Sequence, residues 1–186
     1  MMRVEQIKAK ADTLKTKYQT DDLFEICGNM GIEVHKSPMG MEEGACKGFF
    51  TTYLRQKIIT LNCDLSDTNQ RIILAHELGH AVLHADTGIS TFHDFAVFNG
   101  CNTNENEANV FAAEFLLDDK IVLEAIKEGR DYYTMASELC VPPEMLDFKL
   151  RIMQKQGHPI VAPYIAKSDF LKRNLEKTLS QGVHYG

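Results

Sequence analysis

The sequence contains no tryptophan, and no stretch approaches the ~18 consecutive apolar residues that a membrane-crossing helix needs. Residues 1–20 mix Lys and Glu with apolar residues at helical spacing and lack the apolar centre of a secretory signal. The expected address is the cytoplasm. No CxxC spacing occurs among Cys27, Cys46, Cys63, Cys101 and Cys140, which argues against a zinc ribbon or a dithiol redox pair and points to reduced, mostly buried thiols. Internal repeats and low-complexity tracts are missing too. Nor is there an excess of positive charge: the formal net charge of -6 argues against a broad electrostatic grip on nucleic acid or on an anionic membrane.

What is present is the balance of an ordinary globular chain. Its 186 residues, 44% hydrophobic and 25% charged, suffice for one core and a small appended part. The charge is uneven. Between Lys149 and Lys177, seven basic residues stand against Asp169 and Glu176, a pattern that reads as a solvated helix face or as a surface for an acidic partner.

Apolar residues at Val4, Ile7, Ala11, Leu14 and Tyr18 repeat at helical spacing, and a second short helix starts near Asp21 as N-cap and ends by Gly28 or Gly31. The period then shortens. Gly31 to His35 alternates like a strand, while Gly48 to Tyr53 and Lys57 to Asn62 are rich in β-branched and aromatic residues. Only Leu54-Arg55-Gln56 separates the last two, which predicts a hairpin and a small antiparallel sheet. Ser66 and Asp67 announce the next helix, with Gln70 placed as in a capping box, and its apolar run lasts from Ile72 to Leu83. A loop follows from Asp86 to Asn102. Further helices are expected over 104–117, 119–128, 132–139, 144–156 and 167–179. The fold class is α+β, with a mainly helical C-terminal part.

The third helix carries His76-Glu77-Leu78-Gly79-His80, an HExxH pattern. Residues four apart share a helix face, so both imidazoles can point at one ion. Zinc accepts nitrogen ligands and, in a catalytic site, needs only three protein ligands. Glu77 then lies beside the water, where it can take a proton. Ile72, Ile73, Leu74, Ala75, Leu78, Ala81, Val82 and Leu83 already give this helix apolar cover. Two imidazoles and a carboxylate placed in so buried a helix cost several kcal/mol unless something compensates them.

A third ligand must come from elsewhere, because the pattern with a third His six residues after the second fails: position 86 is Asp. His84, four residues after His80, is either a ligand, a supporting group or the polar end of the helix. In Asn104-Glu105-Asn106-Glu107-Ala108-Asn109, Glu105 and Asn109 are four apart, so one face can offer a carboxylate to the metal and an amide to a neighbouring histidine. Glu107 competes for the ligand role, but Asn104 with Glu107 makes a capping box, and Glu105 is preferred. Glu114 has no assigned chemistry. For the oxyanion, Tyr53, His93 and Arg71 are conceivable donors.

Together, the run Arg71 to His84 and the later Glu105-x-x-Ala108-Asn109-x-Phe111-Ala112-Ala113-Glu114-x-Leu116-Leu117 resemble the ImmA/IrrE metallopeptidases. The match is strongest over residues 58–117. The resemblance implies a zincin-like domain over residues 1–128, with the small sheet packed on the active-site helix, and a helical, helix-turn-helix-like extension over 129–186. It implies a Zn2+-dependent endopeptidase of the bacterial cytoplasm acting on a regulatory protein, typically a helix-turn-helix repressor. His76, His80 and Glu105 would bind the metal and Glu77 would be the catalytic base. The alternative is a non-catalytic, metal-containing transcriptional regulator or docking module, against which the intact Glu77 counts. One departure stands out: relatives often have proline soon after the paired leucines, where Asp118 follows Leu117 here. The segment Met135 to Leu146 reads as helix, turn, helix. It lacks the basic and amide residues suited to reading base edges, so a packing role is expected and nucleic acid is not. A substrate strand is expected to add by backbone pairing to the edge of the sheet near Lys57 to Asn62.

Overall fold

Asn62 ends one strand and organises the turn of chain on which the rest of the sheet depends. The computed structural model describes residues 2–42, 44–84 and 103–160. The expected loop over 86–102, His93, Cys101 and the expected helix over 167–179 lie outside them. Two compact units divide the chain, Met1–Phe115 and Leu116–Gly186.

The first unit opens with helices α1 (Val4–Tyr18) and α2 (Leu23–Asn29). Ile7, Ala11 and Leu14 form the buried stripe of α1, as their spacing predicts. The N-cap of α2 is Asp22 rather than Asp21: its carboxylate accepts the N–H groups of Phe24 and Glu25, two of the donors that a helix start leaves open.

Three strands follow, β1 (Ile32–Ser37), β2 (Gly48–Tyr53) and β3 (Gln56–Asn62), in the spatial order β1-β3-β2. β2 and β3 form the expected antiparallel hairpin, with Tyr53 opposite Gln56. Its turn is Leu54-Arg55, both at positive φ, one residue tighter than the expected three. The sheet as a whole is mixed rather than antiparallel, because β1 runs parallel to β3, from Ile32 opposite Lys57 to Ser37 opposite Asn62. The reason lies in the connection. Ser37 and Gly48 both stand at the end of the sheet where β3 finishes, so residues 38–47 cross over the end of β3 before β2 begins. Asn62, fully buried, serves that crossing. Its amide nitrogen donates to the carbonyls of Gly40 and Cys46 at 2.7 and 2.8 Å, and its oxygen accepts from Met39 and Asp64 N–H at 3.2 and 3.0 Å. Asp64 accepts from Met39 and Gly40 as well. The backbone groups of a crossing loop need such partners once they leave water.

Helix α3 (Asp67–Leu83) starts at Ser66, whose hydroxyl accepts the Asn69 N–H. The expected box between Asp67 and Gln70 does not form: the Gln70 amide donates to the Leu65 carbonyl instead, at 2.6 Å. From Ile72 to Ala81 every residue of α3 is buried. Gly48 lies against it, since a Cβ there would come within 2.6 Å of Ile73 Cγ2. α4 (Thr103–Leu116) completes this unit and buries a run from Glu107 to Phe115.

In the second unit, α5 (Asp119–Lys127), α6 (Tyr132–Glu138) and α7 (Pro143–Lys155) follow the expected pattern to within a residue or so. Asp118 caps α5 by accepting the N–H groups of Lys120 and Ile121. The departure from proline at this position therefore has a structural use. Met145 to Leu150 of α7 are all buried. Lys149, expected on a solvated basic face, is instead fully buried with its ammonium 2.6 Å from Asp119, and Arg151 pairs with Asp147. Among the described residues, no helix is long and apolar enough to cross a membrane. Of the described cysteines, all free, Cys27 is buried but Cys63 and Cys140 are exposed. The expectation of mostly buried thiols holds only for the first.

Candidate metal centre

Two successive turns of α3 place His76 and His80 on one face, both buried. Their Nε2 atoms stand 3.1 Å apart and the rings meet edge to face. Glu105, in the first turn of α4, closes the triangle: its carboxylate oxygens lie 3.5 Å from His76 Nε2 and 3.2 Å from His80 Nε2. All the potential ligand atoms fall within 4.8 Å of one another. Glu77, 3% exposed, follows His76 directly and adds its negative charge to both imidazoles.

The helices can approach so closely because of Gly79. A Cβ at that position would stand 3.1 Å from Phe111 Cδ1 and 3.2 Å from the Ala108 Cα, so α4 rests against the bare backbone of α3. Glu105 and Ala108 share a face of α4, and this contact brings the carboxylate within reach of both rings. Asn109, buried on the same face of α4 as Glu105, favours the protonated form of His76, as the spacing of Glu105 and Asn109 leads one to expect.

Charge in the centre is set by competition. Burial works against protonation of His76, but Glu105, Glu77 and Asn109 prevail, and its proton affinity stands above the ordinary histidine value. At His80, burial prevails over Glu105 with help from His76, and the affinity falls. Burial pushes the Glu105 carboxyl up, yet hydrogen bonds and charge from the two imidazoles hold it well below the usual carboxylate range. A carboxylate kept ionised between two imidazoles is a cation-binding arrangement.

The other candidates lie elsewhere. Glu107 makes no capping box with Asn104, which is itself inside α4; its carboxylate accepts the Met2 N–H and faces His84 at 3.9 Å. His84 sits at the C-terminal cap of α3, with Nε2 against the Asn104 carbonyl at 3.2 Å. Glu114 is buried and pairs with Lys8 at 3.3 Å. Tyr53 and Arg71 are exposed. Sequence reasoning missed the part played by one residue, Gly79, which did carry a signal, a glycine inside an otherwise apolar helix.

Over residues 27–151 the chain matches the model of the peptidase M78 family, described as the IrrE N-terminal-like domain. It is 30% identical over 150 residues to Metallopeptidase ImmA of Bacillus subtilis (strain 168), an alignment covering 77% of this chain and 83% of that protein. It is also 33% identical over 116 residues to Uncharacterized immunity region protein 2 of Bacillus phage phi105, covering 62% of this chain and 71% of that one.

Proposed function

Because this chain belongs to the ImmA/IrrE family of metallopeptidases, we propose that it is a zinc-dependent endopeptidase of the cytoplasm that cuts a regulatory, repressor-like protein. One observation carries the metal assignment. Ligands on a tetrahedral zinc with bonds of about 2.0–2.1 Å lie about 3.3 Å from one another. The three donor separations here, 3.1, 3.2 and 3.5 Å, bracket that value. Two imidazoles and one carboxylate are also a donor set that zinc accepts readily, leaving a fourth position for water.

His76, His80 and Glu105 would hold the ion, which supplies a Lewis acid that acidifies water and polarises a carbonyl. Asn109 orients the His76 ring. Glu77, buried beside the two histidines, takes a proton from the attacking water and passes it to the leaving amine, and its burial keeps bulk water from competing for that proton. We read the arrangement as zincin-like, with α3 lying under the sheet.

A substrate strand cannot pair with the residues first expected. β3 is the central strand and already bonds β1 and β2. Among the described residues, the sheet edge nearest α3 belongs to β2, whose first residue, Gly48, lies against Ile73, so β2 is where an extended substrate would add. The burial of α7 along Met145 to Leu150 supports a packing role for the α6–α7 pair, and a protein partner rather than nucleic acid. An immunity-region relative and a metallopeptidase relative support a regulatory substrate.

The test is to incubate the zinc-loaded protein and its Glu77→Gln form with co-encoded repressor proteins. Cleavage is expected from the first and a loss of at least about 10²-fold from the second. Equal behaviour, with no cleavage by either, would sink the peptidase reading.

A further inference from the structure

Glu107 stands two residues from Glu105 on α4 and takes no part in the donor triangle, yet its side chain is only 6% exposed. One carboxylate oxygen accepts the Met2 backbone N–H, and the other lies 3.9 Å from His84 Nε2. His84 ends α3, reaches the Asn104 carbonyl, and holds its ring 5.5 Å from that of His80. Two pieces of chain, the lead into α1 and the end of the histidine helix, therefore meet the carboxylate of the fifth residue of α4, and His84 also reaches the first turn of α4 at Asn104. Further along, α1 lies on α4 through Lys8 against Glu114 at 3.3 Å and Lys15 over the Phe115 ring at 4.6 Å. All of α1 precedes residues 27–151, the span matched by the family model.

Glu105 occupies the third position of α4. The first turn of a helix has no internal partners for its N–H groups and is the part that frays. A metal ligand placed there needs an external anchor to keep its carboxylate within a few tenths of an ångström of the productive position. We infer that Glu107 is a positioning residue, which ties α1 and the end of α3 to the first turn of α4 and so fixes where Glu105 meets the two imidazoles. This rests on the metal reading above.

The test is zinc affinity of the folded full-length chain, measured by chelator competition, with melting of the metal-free protein recorded in parallel. Glu107→Ala is expected to weaken zinc binding about 10- to 100-fold, the range for groups that orient ligands. Glu107→Gln keeps the shape and the acceptor for Met2 and is expected to stay within about threefold of the parent. Glu107→Asp, shorter by one methylene, is expected to fall between them and serves where the alanine variant does not fold. A purely structural role would lower melting of the metal-free form while leaving the affinity of the folded protein unchanged. Parent-like affinity in the Ala and Asp variants would overturn the inference, as would a glutamine variant as weak as alanine. Stoichiometric zinc in the parent, lost in His76→Ala, keeps the metal reading intact in either case. Zinc retained by His76→Ala would overturn that reading and the inference with it.

Discussion

Adding one methyl group at Gly79 tests whether close approach of α3 and α4 builds the centre. The new Cβ would stand 3.1 Å from Phe111 Cδ1, 3.2 Å from Phe111 Cβ and 3.2 Å from the Ala108 Cα, where ordinary contact begins at 3.4 Å. Phe111 is fully buried and the Ala108 contact is backbone, so neither can swing clear, and α4 must retreat by a few tenths of an ångström. Overpacking of this kind costs about 1–3 kcal/mol, while alanine recovers about 1 kcal/mol of helix propensity over glycine. The net loss of fold stability is therefore small, about 0–2 kcal/mol. The metal responds more strongly, because Glu105 rides on α4 and its donor spacings already sit close to tetrahedral. Zinc affinity is expected to fall about 10- to 100-fold. Gly28→Ala is the control: it lies in α2 with nothing within 4 Å of the added Cβ, and should raise stability by about 0.5–1 kcal/mol without touching the metal. Chelator competition and thermal melting on both variants decide the matter. A Gly79→Ala protein that binds zinc like the parent and melts higher, as Gly28→Ala should, would refute the reasoning.

Asn62→Ala should destabilise the protein by about 2–4 kcal/mol in urea titration, since it strips partners from buried groups of the crossing loop; unchanged stability would show that the loop holds itself. The Cys27 thiol is pushed up to about 12 by burial and then by the charge of Asp22. At pH 8 a thiol reagent should therefore modify exposed Cys63 and Cys140 in the native protein, and Cys27 only in denaturant. The sign follows: an unfolded thiol loses its proton near 9.0 and the folded one near 12. The contribution of Cys27 to stability is thus full below pH 9 and drains away as pH rises toward 12. Native labelling of Cys27 as fast as Cys63 at pH 8 would contradict this.

The helices and strands were legible because their signals are local. Ile7, Ala11 and Leu14 bury the face their spacing predicts, and the two β-rich runs paired as a hairpin. The parallel placement of β1 was not legible. It depends on residues 38–47 passing over β3 to reach its far side, and nothing in the alternation of residues 32–37 encodes which neighbour a strand will take. The capping boxes failed for a related reason. Gln70 and Glu107 each had a sequence-local partner on offer, but Leu65 and Met2 with His84 provided others, and burial favours whichever set satisfies the most groups. Lys149 was misread because charge suggests solvent, whereas Asp119 lets it be buried as a pair. At the centre, the spacing of His76 with His80 and of Glu105 with Asn109 was readable from helix periodicity alone. That these two helix faces meet was not, since it turns on Gly79 and its contact with Phe111.

The most direct measurement is a crystal structure of the zinc-loaded protein with anomalous scattering at the zinc edge. The account predicts one ion within about 2.0–2.2 Å of His76 Nε2, His80 Nε2 and a Glu105 oxygen, with Glu77 outside the coordination sphere. An ion held by His84 or Glu107 in place of Glu105, or none between the two histidines, would contradict it.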